Sequence, residues 1–121
     1  MIERTKDYRI VSRWVSWGVV LSSKIYYLME KGVDGVKGVW SYEPYQDGLR
    51  VHADLGVECR GADAIKSAKK SFEWIFSNTK FKNIYAGIPE ENKPACLVAC
   101  MSGMNFELIY NNIRWYKLNK W

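Results

Sequence analysis

The hydrophobic period of this chain changes abruptly between Leu49 and Phe76, and few folds accommodate such a change. In LRVHADLGV, residues 49–57, Leu49, Val51, Ala53, Leu55 and Val57 alternate with Arg50, His52 and Asp54. A period of two marks a strand with one covered face. From Ile65 onward the apolar residues fall at Ala68, Phe72, Ile75 and Phe76, while Lys66, Lys69, Lys70 and Glu73 lie largely off that stripe. That spacing marks an amphipathic helix. Between the two periods stand Glu58, Cys59, Arg60 and Gly61. The order is strand, tight basic turn, helix. A helix start leaves about four backbone N–H groups without partners and carries roughly half a positive charge. Such a turn is suited to a phosphate group.

The flanking sequence supplies a sheet. KIYYLME and VKGVWSYE read as strands separated by the turn signal KGVDG. PYQDG precedes the third strand, with Asp47-Gly48 suited to a hairpin. Residues 24–57 thus read as a three-stranded antiparallel meander. After the helix, FKNIYAGI is a strand ended by Pro89, and Lys93 to Ser102 a helix with Asn92 as cap and Gly103 as terminator. MNFELIY and IRWYKLNKW are two last strands joined at Asn111-Asn112. The first twenty residues carry two signals. Ile10, Trp14, Trp17 and Leu21 suit a helix face, while Val11, Val15, Val19 and Val20 argue partly for strand. The reading adopted is a short helix and a turn at Ser22-Ser23. The predicted order is βββ-α-β-α-ββ behind that helix, an α/β (α+β) fold with a mixed sheet, in one domain spanning residues 1–121.

Charge and cysteine content narrow the chemistry. The net charge is +5, and it is uneven: residues 1–60 carry nine Lys/Arg against eight Asp/Glu, residues 61–121 nine against five. The second half is therefore the natural host for an anion. Three cysteines, Cys59, Cys96 and Cys100, do not describe a disulfide scaffold, and with His52 as the one histidine they do not describe a zinc site. Reduced thiols fit an intracellular protein. The run WVSWGVVL is too short and too interrupted for a membrane span or a signal peptide. Lysines are dispersed and FKNIYAGI lacks the basic-Gly-aromatic pattern of an RNA-reading strand, so nucleic acid is not an expected partner.

Two local motifs, in this order and at this spacing, are similar to those of the GNAT superfamily of acyl-CoA-dependent N-acetyltransferases. VECRGADA, at 57–64, resembles its pyrophosphate loop, usually written [QR]-x-x-G-x-[GA]. NKPACLVACMSGM, at 92–104, resembles its Asn-x-x-Ala…Gly-Phe helix, with Asn92, Ala95 and Gly103 on pattern and Met104 in the Phe place. The resemblance spans roughly residues 24–110. VHADLGVECRGADA, EWIFSNT and AGIPEENKPA also resemble small GNAT-like proteins of tailed bacteriophages, some of them labelled head- or virion-assembly proteins.

The resemblance implies acetyl-CoA as acyl donor and a primary amine as acceptor, either a small molecule or a protein lysine. Arg60, Gly61, Ala62, Asp63 and Ala64 would meet the pyrophosphate, and backbone near Leu55 and Val57 the pantetheine arm. Asn92 would orient the cofactor, a role compatible with capping its helix. His52 and Asp54, two apart on one strand face, are the candidate catalytic pair, with His52 taking the proton from the amine. A strand histidine held by a structural hydrogen bond is the plainer alternative. Glu58 and Asp63 depart from the pattern, and Asp63 would repel a diphosphate. The family's frequent Tyr, which protonates the thiolate, falls at Ala99. Tyr110, Tyr85, Cys59 and Cys100 are the residues considered as substitutes.

Two functions follow as expectations. One is an acetyl-CoA-dependent N-acetyltransferase-like protein, phage-encoded, in the bacterial host cytoplasm. The other is a catalytically inactive GNAT-fold protein of phage assembly, whose partner is a phage or host protein. Trp121 at the chain end is an expected homodimer or partner contact.

Overall fold

The computed structural model describes residues 1–16 and 18–120; Trp17, expected on the N-terminal helix face, and Trp121, expected at a dimer contact, lie outside the described residues. Ten elements follow one another: β1 (Ile2–Thr5), α1 (Tyr8–Trp14), β2 (Tyr26–Gly32), β3 (Gly35–Tyr45), β4 (Gly48–Leu55), α2 (Ala62–Asn78), β5 (Asn83–Pro89), α3 (Lys93–Met101), β6 (Asn105–Tyr110) and β7 (Ile113–Asn119). The seven strands form one mixed sheet in the order β1-β2-β3-β4-β5-β7-β6. All pairs are antiparallel except β4 with β5. This is the mixed α+β architecture expected, with the meander, the crossover helix and the closing hairpin at Asn111-Asn112 in place.

Four details depart from the sequence reading. Ile2–Thr5 is a strand, paired antiparallel from Ile2↔Glu30 to Thr5↔Tyr27; IERT is too short and too charged to show a period. The N-terminal helix stops at Trp14, because Val15 takes an extended conformation (φ −95°, ψ 113°). Pro44 and Tyr45 extend β3, so the hairpin turn falls at Gln46-Asp47 and not at Asp47-Gly48. Finally, β4 ends at Leu55 and not at Val57. The Gly56 N–H binds the Lys37 carbonyl, the chain then turns, and Val57 is left 82% exposed.

The sheet divides the apolar side chains into two clusters. On one face Leu28, Trp40, Tyr42, Leu49, Ile84 and Tyr116 pack beneath Phe72, Ile75 and Phe76 of α2 and Cys96 and Ala99 of α3. On the other, Tyr27, Met29 and Val39 pack against Val11 and Val15, at and just beyond α1. Each wholly buried Leu or Ile contributes about 1.5–3 kcal/mol of transfer free energy.

Helix α2 is also fixed by polar bonds within this core. The Trp40 indole N–H donates to Ser67 Oγ at 2.9 Å, and the hydroxyls of Tyr42 and Ser71 lie 2.6 Å apart. Ser71 donates to the Ala68 carbonyl, which leaves the Tyr42 O–H as donor to Ser71. Burial pushes the Tyr42 phenol far above its ordinary range, so it stays protonated. Ser67 and Ser71 are one helical turn apart, and Trp40 and Tyr42 are neighbours on one face of β3. Two bonds therefore set both the rotation and the axial position of α2.

Replacing Ser71 by Ala leaves the buried Tyr42 hydroxyl without an acceptor and should cost about 1–3 kcal/mol. Tyr42→Phe, which leaves Ser71 its bond to Ala68, should cost less. Urea denaturation of the two variants and their double mutant reads the coupling directly; zero coupling contradicts the pinning.

Candidate active site

Strands β4 and β5 pair over only two positions, Leu49↔Ile84 and Arg50↔Tyr85, and then part. Each keeps an antiparallel partner on its outer side, β3 and β7 respectively. Parting strands leave a wedge-shaped gap in the sheet, and the gap is the floor of a cleft of about 430 Å³. Val51, His52, Ala53, Asp54 and Leu55 form one side of it; Ala86, Gly87, Ile88 and Pro89 form the other. Above it run α2, which offers Ala64, Ala68 and Phe72, and α3, which offers Ala95, Val98 and Ala99. Alanines on both helices leave the space between them open. The clean alternation of β4 is thus only half used for packing: Leu49 is wholly buried, whereas Ala53 is exposed to the cleft.

The mouth of the cleft meets two helix starts. At α3 the Asn92 side chain accepts from the Ala95 N–H at 3.3 Å, an ordinary cap. At α2 the cap position is Gly61, which provides no side-chain bond to the helix. Its φ of 54° and ψ of −123° lie in a region that only glycine enters readily. A Cβ at Gly61 would meet nothing within 4 Å, so the backbone is open to an approaching group. Arg60 lines the cleft beside it. An uncapped helix start with an arginine alongside has the donor set that a phosphate or diphosphate requires.

The candidate residues fall into two groups. His52, Asp54, Leu55, Arg60, Gly61, Ala64 and Asn92 all line the cleft. Val57, Ala62 and Asp63 do not. Val57 borders a separate depression beside Trp14, Val36 and Lys37. Ala62 and Asp63 are exposed on the first turn of α2, so the Asp63 carboxylate stands outside the lining. Among the described residues no tyrosine lines the cleft. Tyr110 is on the edge strand β6 and exposed. The Tyr85 O–H donates to Asp47, and burial and then that carboxylate push the phenol up to about 12. Cys100 is exposed on α3 away from the lining, while Cys59 lines the cleft. Burial, reinforced by Glu30, holds the Cys59 thiol above its ordinary range.

His52 and Asp54 lie on the α1 side of the sheet, opposite Ser41 and Val39 of β3. His52 Nε2 is 3.6 Å from Asp54 Oδ1. The Asp54 side chain is 20% exposed, and its Oδ2 is buried with no hydrogen-bond partner among the described residues. Burial raises the Asp54 carboxyl above its ordinary value, while His52 works in the opposite direction. A half-buried acid next to an exposed histidine can stabilise an imidazolium, as a proton-accepting pair requires.

The sequence did not show where Trp115 packs. Its ring lies where a Cβ of Gly87 would be, 2.8 Å from that position, and stacks on Tyr45 at 5.3 Å and 7°. Trp115 therefore covers Gly87 on the face of the sheet that carries His52, outside the lining of the cleft. The glycine opposite a tryptophan in the paired strand was the only signal available.

No protein-family model matches the sequence, and no curated protein matches it. Solved structures do. N-acetyltransferase PseH of Campylobacter jejuni, in complex with acetyl coenzyme A, superposes with a TM-score of 0.71 at 11% identity, over 81% of this chain and 70% of that one. Mutant forms of the spermidine/spermine N-acetyltransferase SpeG of Vibrio cholerae give 0.79 at 10% identity, over 99% and 94%. A ribosomal-protein-S5-alanine acetyltransferase of Vibrio fischeri gives 0.68 at 16% identity, over 80% of this chain and 62% of its own. What they share with this chain is the GNAT fold.

Because the raised Asp54 carboxyl makes its ionised form unfavourable in the folded state, Asp54→Asn should remove that penalty. The variant should melt higher than the wild type near pH 7.5, and the difference should close as pH falls through the carboxylate range. Melting curves across pH test this; a lower melting temperature at pH 7.5 contradicts it.

Proposed function

We propose that this protein is an acetyl-CoA-dependent N-acetyltransferase that moves an acetyl group to a primary amine. The observation that carries the proposal is the gap opened where β4 and β5 part, with the uncapped start of α2 at its mouth. A long, thin ligand with an anionic end matches that shape. Arg60 and the backbone around Gly61 would hold the diphosphate, and Leu55 and Asn92 would border the arm that follows. Bound there, acetyl-CoA supplies an activated acyl group as a thioester. The solved relative from Campylobacter jejuni is an N-acetyltransferase in complex with acetyl coenzyme A, which supports this choice of donor.

Transfer forms a bond from the amine nitrogen to the acyl carbon and breaks the bond from that carbon to sulfur. The attacking nitrogen must shed a proton, and His52 accepts it at the edge of the gap. Asp54, 3.6 Å away, stabilises the resulting imidazolium. Among the described residues the cleft offers no tyrosine that would protonate a departing thiolate; Cys59 is the one thiol in its lining. α1 has only seven residues, so the sheet face beside His52 has little helical cover. An open approach of this kind suits a lysine side chain on a macromolecule.

A second reading keeps the fold without the reaction: a phage-encoded assembly or interaction protein. The missing tyrosine favours it.

Calorimetric titration with acetyl-CoA separates the two. Wild-type protein should bind in the micromolar range, Arg60→Glu should weaken binding at least tenfold, and His52→Ala should bind as the wild type does. His52→Ala should then lose acetylation of lysine-containing peptides, read as free thiol released, by roughly 10²–10⁴-fold. Folded wild-type protein that binds no acetyl-CoA sinks the acetyltransferase reading.

A further inference from the structure

The sheet has two edges, and they differ in kind. At one end β1 is four residues long and carries Glu3 and Arg4, with Glu3 paired to Lys31 at 3.4 Å. Short length and charge discourage a further strand from adding there. At the other end stands β6, and all six of its residues are exposed. Phe106, Leu108, Ile109 and Tyr110 are 46–67% exposed. Their register against β7 places Phe106 and Ile109 opposite Tyr116 and Arg114, and Leu108 and Tyr110 opposite Trp115 and Ile113. Apolar side chains thus occur on both faces of the edge. The strand contains neither lysine nor proline, and its one charge, Glu107, is in the irregularity between Phe106 and Leu108. Helix α3 packs on β6 and adds two more exposed apolar side chains, Leu97 and Met101.

We propose that β6 is a dimerisation edge, which pairs antiparallel with β6 of a second copy of this chain and continues the sheet across a two-fold axis. An edge strand leaves a row of backbone N–H and C=O groups whose natural partner is another strand. A two-fold axis lets one apolar strand meet its identical self, so no second, complementary surface is required. Charge leaves this strand as a place where a second copy can approach. Two copies at +5 each repel over most of their surfaces, but residues 104–113 hold only Glu107. Six side chains of this size, about half exposed, present on the order of 600 Å² per copy, against about 800 Å² per partner in a standard interface. Paired backbone and neighbouring side chains supply the remainder. Because β1 is guarded, growth stops at two copies and does not run on into a filament.

Sedimentation velocity of the full chain, from micromolar to submillimolar concentration, tests the proposal. The wild type should pass from a 14.1 kDa species to one of twice that mass. Leu108→Lys and Ile109→Lys each place a cation on one face of the exposed strand and should weaken association at least tenfold, with unchanged melting curves. Glu3→Lys, at the opposite edge, should associate as the wild type does. Amides of residues 105–110 should exchange more slowly as concentration rises. Wild-type protein that keeps one mass over the whole range overturns the proposal, as does a dimer formed equally well by both lysine variants. Neither result would bear on binding of acetyl-CoA.

Discussion

Two serine hydroxyls inside the core decide where α2 lies. An apolar stripe alone lets a helix slide or roll on a sheet at small cost, since hydrophobic contact has no preferred direction. The bonds from Trp40 to Ser67 and from Tyr42 to Ser71 are directional and buried, and missing either leaves a polar group unsatisfied. They tie the helix to the middle of β3. The start of α2, with Gly61 and Arg60, therefore stands at a fixed height above the end of β4. The cleft inherits its mouth from that placement.

The gap has a comparable origin. Among the described residues β4 and β5 are the one parallel pair, joined by α2 as crossover, and beyond Arg50 and Tyr85 they part while each keeps its outer partner. The hydrogen-bonding groups released there are what an extended ligand can use. In the same region Ala53 is exposed despite its place on the apolar face of β4. The alternation continues there, but Ala53 faces the cleft and not a packed core.

Much of the fold was legible because its signals are periodic. The switch from period two at Leu49–Leu55 to a helical stripe at Ile65–Phe76 placed the central strand, the turn and the crossover helix. The meander and the hairpin at Asn111-Asn112 were legible from turn residues. β1 was not, since four residues with two charges carry no period and gain their conformation from β2 alone. The end of β4 was overrun because Val57 continues the alternation that the Gly56 turn breaks. Most of the candidate residues came together in the cleft, for β4 and the start of α2 are contiguous in sequence. Where Trp115 and the paired serines pack was not legible because their partners, Gly87, Trp40 and Tyr42, are distant in the chain. Serine in a helix reads as a neutral residue until its neighbour across the core is known.

The gap between β4 and β5 is lined by residues that belong to both faces of the sheet. Its walls include Val51 and Leu55, which belong to the helix-side core, and also His52 and Asp54, which lie on the α1 side. Residues that share one opening but belong to different layers tie those layers together. Repacking in the helix-side core and a substitution in the α1-side pair bear on the same walls, so neither layer can be altered without reshaping the opening for the other.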